Sequence, residues 1–132
     1  MLGRIAVLED NEDCRQILGI LFASEYLVDG FDQAEKLKSA LIDTRYDLLI
    51  VDLIIEGRFA GVDVLRHVRS IPKLKNLPVI LLTGDIMRFD REKALQTGFD
   101  GFVVKPFEFE ELKDTVSRLL RTGGSFPLRA TA

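Results

Sequence analysis

Five polar residues stand where chemistry is possible in this sequence: Glu9, Asp10, Asp52, Thr83 and Lys105. Each stands at the end of a short apolar run, Glu9 and Asp10 as a pair. Three carboxylates brought together repel one another, and at least one of them should have a raised pKa unless something compensates. A hard divalent cation such as Mg²⁺ compensates well, because it takes oxygen ligands and keeps several waters. A lysine ammonium adds a further positive charge. A hydroxyl and backbone N–H groups can then hold the remaining oxygens of a phosphoryl group, so that charge is stabilised by positioning and electrostatics. A carboxylate in such a place can act as nucleophile and form an acyl phosphate. Taken singly, each residue has a plainer reading. Asp52 or Thr83 behind a strand can cap the next helix, Asp10-Asn11 can be a turn, and Lys105 can be a solvated surface side chain. The plainer readings do not explain why all five fall at the ends of apolar runs in one alternating chain.

The elements that must position these residues follow from periodicity. Continuous apolar runs at Ile5–Leu8, Tyr26–Val28, Leu48–Val51, Val79–Leu82 and Phe102–Val104 read as strands buried on both faces. Between them lie amphipathic segments with helical spacing. Ile17, Ile20 and Leu21 mark the first, and Ala34, Leu37, Ala40 and Leu41 the second. Val64, Leu65 and Val68 mark the third, Ala94 and Leu95 the fourth, and Leu112, Val116, Leu119 and Leu120 the last. Gly98 can take the left-handed conformation that ends a helix. Pro72 and Pro78 bracket a Lys-rich connection. Gly123-Gly124 ends the last helix. Five consecutive β–α units imply an α/β fold, a doubly wound parallel sheet with helices on both faces. Sites in such sheets form at the carboxyl ends of the strands, where the five polar residues converge.

With 132 residues the chain suits one domain, residues 1–122, followed by a short flexible tail, residues 123–132. A net charge of −3 gives no general attraction to nucleic acid or to an anionic membrane. No apolar stretch approaches the ~20 residues of a membrane span. The N-terminus carries no signal-peptide pattern, and its Met stands just before the first strand. Cys14 is the single cysteine, which excludes an internal disulfide and fits a reducing, cytoplasmic setting. It reads as a small helix side chain, and His67 as a surface histidine without an acid–base partner.

The motifs resemble the response-regulator receiver domain. The acidic pair in AVLEDNED, the lone aspartate in DLLIVDL, the Thr-Gly in VILLTGD and the Lys-Pro in FVVKPF carry the resemblance. It covers roughly residues 4 to 121, and the ordered set is more specific than any member. The resemblance implies a flavodoxin-like (βα)5 fold with strand order 2-1-3-4-5. It implies that Asp52 is the phosphoacceptor of a two-component phosphorelay. Glu9, Asp10, Asp52 and the Ile54 backbone carbonyl would hold Mg²⁺, for which Mn²⁺ can substitute. Thr83 and Lys105 would bind the phosphoryl group. Thr83 and Phe102 would form the switch, the ring turning inward as Thr83 moves. Ile54 and Asp85 would tune the lifetime of the acyl phosphate. The Lys105–Pro106 bond is expected to be cis. The sequence departs from the family after Asp52, where LIIEGRFAGVDVL lacks the usual Met-Pro and the loop is one residue longer.

The implied function is a stand-alone single-domain response regulator, not an enzyme, that dephosphorylates itself slowly. It would receive phosphate from a histidine kinase or a histidine phosphotransfer protein and act on a downstream effector protein. No direct contact with nucleic acid or membrane is expected, and the chain would be a monomer or a weak phosphorylation-dependent dimer. Phe59, Phe89 and Phe109 are candidate partner contacts, whereas Phe107 reads as core. Two alternatives stay open: a receiver excised from a hybrid kinase or longer regulator, and a receiver-like binding module that is never phosphorylated. An aspartate-nucleophile phosphatase fits poorly, because the position two residues after Asp52, where such enzymes carry a general acid, is Ile54.

Overall fold

The computed structural model describes residues 2–121. Five strands and five helices alternate: β1 (Arg4–Leu8), α1 (Glu12–Phe22), β2 (Leu27–Phe31), α2 (Ala34–Asp43), β3 (Leu48–Asp52), α3 (Ala60–Ser70), β4 (Val79–Thr83), α4 (Arg91–Thr97), β5 (Gly101–Val104) and α5 (Phe109–Arg121). All pairings are parallel, in the order β2-β1-β3-β4-β5. The doubly wound sheet is the one expected. The expected tail lies outside the described residues, as does Gly123-Gly124.

Alternation along the central strands divides the core. Ala6 and Leu8, Leu49 and Val51, and Val79 and Leu81 pack with α2, α3 and α4. Ile5 and Val7, Leu48 and Ile50, and Ile80 and Leu82 pack with α1 and α5. Side chains on a strand point alternately to its two faces. Asp52 therefore shares the α1/α5 face of β3, and Thr83 shares the α3/α4 face of β4. Phe102 lies on the same face as Thr83, buried in that cluster.

Helix ends are set by local chemistry. Asn11 caps α1 by accepting from the Cys14 N–H at 2.8 Å, and Asp90 caps α4 by accepting from the Lys93 N–H at 2.9 Å. Gly98 ends α4 at φ 117°, the left-handed conformation expected of it. At the opposite edge of the sheet, Arg69 donates to the carbonyls of Lys75, Leu77 and Gly98 and to the buried Asp100 carboxylate.

Two sequence expectations need correction. The second strand runs Leu27–Phe31 rather than Tyr26–Val28, and it is an edge strand with Leu27 and Gly30 exposed. Tyr26 is buried but precedes the strand. In α1 the buried residues are Leu18 and Phe22, while Ile17 and Ile20 are 49% and 76% exposed. That helix carries apolar residues on more than one face, so periodicity alone does not choose the buried one.

Candidate functional site

The carboxyl ends of β1, β3, β4 and β5 bring the expected residues together. Asp52 and Thr83 are the last residues of their strands, Glu9 and Asp10 follow β1, and Lys105 follows β5. One ligand atom from each of Glu9, Asp10 and Asp52 lies within 4.8 Å of the others. The Lys105 ammonium donates to Glu9 Oε1 at 2.5 Å and to Asp52 Oδ2 at 2.9 Å. The Lys105–Pro106 bond is cis.

The burial of these groups sets their charge. The Glu9 side chain is only 1% exposed. Burial pushes its pKa up, but the Lys105 ammonium and the Asn11 N–H, which donates to Oε2 at 3.1 Å, outweigh this and hold it below the ordinary value. Asp52 is 12% exposed. Burial pushes it up to about 6, opposed by the bond from Lys105 and reinforced by the Glu9 charge. Burial disfavours the Lys105 charge, yet its two carboxylate partners more than offset this and raise its pKa. Asp10 is exposed at the mouth. Three carboxylates and one ammonium leave a net charge of −2, which one divalent cation would cancel. The all-oxygen donor set fits such a cation.

Thr83 is buried, and its Oγ1 accepts the Asp85 N–H at 3.0 Å. The hydroxyl hydrogen remains available to donate. The Phe102 ring is 5% exposed, with the Arg91 guanidinium carbon 5.6 Å from its centroid. Ile54 is half-buried against the α2/α3/α4 cluster. Asp85 pairs with Arg88, whose guanidinium holds its carboxyl below the ordinary range. Cys14 sits beside Glu9, and burial together with that charge pushes its thiol up to about 11. It is therefore protonated at neutral pH, in keeping with the plain reading.

The loop after Asp52 has a defined form. Ile55 and Arg58 exchange N–H···O bonds at 3.0 Å in both directions, closing a two-residue hairpin. Its central residues Glu56 and Gly57 have φ 54° and 75°. Positive φ at both positions is the requirement of a type I′ turn.

Among the aromatic candidates, Phe59 is 48% exposed. Phe89 is not a surface contact: it is 6% exposed and stacks edge-on with Phe99 at 6.0 Å. Phe109 is half-buried, edge-on to Phe22 at 6.5 Å. Phe107 is partly buried and packs on the α1/α5 cluster.

Three residues that position the site have no signal in the pattern of apolar runs. Arg15 donates to the Glu9 carbonyl at 2.8 Å, fixing the acidic turn. Its stem crosses Gly30, where a Cβ would meet Arg15 carbons at 2.9 Å. Gly61 lets α3 close on the phosphoacceptor candidate's backbone, since a Cβ there would lie 2.6 Å from the Asp52 carbonyl oxygen. A glycine inside a helical stretch is a signal of such close approach. Arg88 is taken up below.

The chain is a doubly wound α/β domain whose acidic cluster and bridging lysine lie at the carboxyl edge, where such sheets carry their sites. The chain belongs to the response regulator receiver domain family, whose model matches residues 5–117. It is 36% identical over 122 residues to the phosphate regulon transcriptional regulatory protein PhoB of Rhizobium meliloti, covering 92% of this chain and 53% of that protein. The chain spans about half the length of the curated relatives it matches. Among solved structures, the signal receiver domain of a signal transduction histidine kinase from Syntrophus aciditrophicus is 29% identical, with a TM-score of 0.79 over 91% of each chain. The receiver domain of a sensor histidine kinase from Pseudomonas aeruginosa, solved with a magnesium ion in its active-site cleft, is 25% identical. Its TM-score is 0.80, over 90% of this chain and 98% of that one.

Proposed function

We propose that this receiver domain accepts a phosphoryl group on Asp52 and so switches a protein-interaction surface within a two-component phosphorelay. The observation that carries the reading is the Lys105 ammonium shared by Asp52 and Glu9, with Asp10 in the same cluster. An Asp52 carboxylate oxygen attacks phosphorus, the bond from phosphorus to the donor breaks, and the donor leaves with the electron pair. The donor is the phosphohistidine of a kinase or of a phosphotransfer protein. Lys105 holds the nucleophile in place and then meets the new negative charge. The Thr83 hydroxyl donates to a phosphoryl oxygen. Glu9, Asp10, Asp52 and the Ile54 carbonyl would hold Mg²⁺, or Mn²⁺ in its place, and the ion would neutralise charge on the phosphoryl oxygens. Thr83 and Phe102 on their shared face form the switch pair.

We read the domain as a phosphoryl acceptor and not a turnover enzyme. It would lose the group slowly by hydrolysis. Ile54 cannot orient a water, and Ile54→Asn is expected to speed the decay of the acyl phosphate about tenfold. An unchanged decay rate would contradict the role given to Ile54.

The test of the main reading is intact-protein mass spectrometry after incubation with acetyl phosphate and Mg²⁺. One added phosphoryl group, dependent on the metal and absent from Asp52→Asn, is the expected result. If neither acetyl phosphate nor a phosphotransfer protein gives an adduct, the unphosphorylated binding module replaces it. We read the chain as a stand-alone cytoplasmic regulator whose output is a protein contact, as a monomer or weak dimer. The likeness to histidine-kinase receiver domains favours a second reading, a receiver carried within a longer protein. The mass of the native polypeptide on an immunoblot separates the two.

A further inference from the structure

β3 and β4 lie side by side, so the segments that leave Asp52 and Thr83 run beside each other. A single guanidinium joins them. Arg88 Nε donates to Asp85 Oδ2 at 2.6 Å, and the Arg88 N–H donates to Asp85 Oδ1 at 3.2 Å. The Arg88 guanidinium carbon lies 5.7 Å from the centroid of the Phe59 ring, within cation–π range. Asp85 is tied back to Thr83, whose Oγ1 accepts its N–H. Phe59 in turn stands between the 55–58 hairpin and the start of α3, where Gly61 rests against the Asp52 carbonyl. Contacts therefore run from Thr83 through Asp85 and Arg88 to Phe59, two residues before the Gly61 that packs against the Asp52 carbonyl.

Core packing does not explain this chain. Phe59 is 48% exposed and the Arg88 side chain 61% exposed. Phe59 also offers no side-chain bond to the helix it precedes. The contact joins exposed side chains of two loops that buried Ile55 and Phe89 also anchor to the core.

We propose that Asp85, Arg88 and Phe59 form a clasp beside Asp52, with Arg88 as its positioning residue. The clasp restrains the two loops and slows the approach of water and small phosphodonors to Asp52. It rests on the reading of Asp52 as phosphoacceptor, and it extends control of the acyl phosphate to two residues outside the phosphoryl pocket.

The test has two arms. In the first, wild type, Arg88→Ala, Arg88→Lys, Phe59→Ala and the Arg88→Ala/Phe59→Ala double variant are phosphorylated with acetyl phosphate, and the decay is followed. Each alanine variant is expected to lose the group about threefold to fivefold faster. The double variant should be no faster than the faster single, because one contact is removed in all three. Arg88→Lys should stay near wild type. In the second arm, hydrogen exchange of residues 55–59 is measured in the unphosphorylated protein, and it should quicken in Arg88→Ala. Equal decay rates, or effects that add in the double variant, would overturn the clasp. If wild type takes no phosphoryl group, the Asp52 reading fails by itself. Control of the acyl phosphate then falls with it, and unchanged exchange in Arg88→Ala would remove the loop restraint as well.

Discussion

Asp52 is 12% exposed and lies against the Glu9 charge, and both facts oppose its ionised form, while Lys105 favours it. The balance puts its pKa near 6, against 3.8 for the free side chain. The folded state thus binds more protons than the unfolded chain between about pH 4 and pH 6. Stability contributed at this position is present below that window and lost as pH rises through it. Asn at position 52 removes the buried charge but also an acceptor for Lys105. In metal-free buffer Asp52→Asn is therefore expected to be more stable than wild type at pH 7, by on the order of 1–2 kcal/mol. The difference should fade below about pH 4. Urea unfolding across pH measures it, and a less stable Asp52→Asn at pH 7 would contradict the account. The residue scale is also where the sequence was most readable. Asp52, Thr83 and Lys105 each end an apolar run, which is a local signal. Arg15 and Arg88 reach to other segments and no apolar run marks their contacts, whereas Gly61 inside a helical stretch does signal a close approach.

At the scale of elements, the hairpin after β3 sets the path from Asp52 to α3. Gly57 takes φ 75° freely, but Glu56 at φ 54° sits where its Cβ crowds the following carbonyl, a cost of about 1 kcal/mol. Asn tolerates that conformation and favours a type I′ turn. Glu56→Asn is expected to stabilise the fold by about 0.5–1 kcal/mol, read as a higher urea midpoint with an unchanged slope. A lower midpoint would show that the Glu56 side chain contributes more than its backbone strain costs. The sequence shows no proline in this loop, and its Gly57 was open to a turn. The turn type was not read from it, because Glu-Gly is not a strong turn pair. For β2 the Leu-Val-Asp-Gly-Phe run hid the strand, as an edge position admits polar and small residues. In the same way Phe89 looked like a surface aromatic until its partner Phe99 was placed against it.

At the scale of the molecule, two apolar layers hold the sheet and leave its carboxyl edge to carry unbalanced charge. A cation that binds this edge binds the folded chain and not the unfolded one, so it must stabilise the fold. At ~100 times its dissociation constant, Mg²⁺ should add about 2.7 kcal/mol to wild type and raise the melting temperature by several degrees. Asp52→Asn should gain much less. Thermal unfolding with and without Mg²⁺ checks this, and an equal shift in both proteins would place the ion elsewhere. The doubly wound class was readable from the alternation of apolar runs and amphipathic segments, and the strand order from the motifs that matched a family of that fold. The division of the site between faces, with Asp52 toward α1 and α5 and Thr83 with Phe102 toward α3 and α4, came only from the register of the sheet.

The most direct test of the central claim is to trap the modified side chain itself. Protein treated with acetyl phosphate and Mg²⁺ is reduced with borohydride, which converts an aspartyl phosphate to homoserine, and is then digested and sequenced by mass spectrometry. Homoserine at position 52, and at no other aspartate, is the predicted result. Homoserine at Asp10, or none in protein that carries a phosphoryl group, would contradict the assignment of Asp52 as the acceptor.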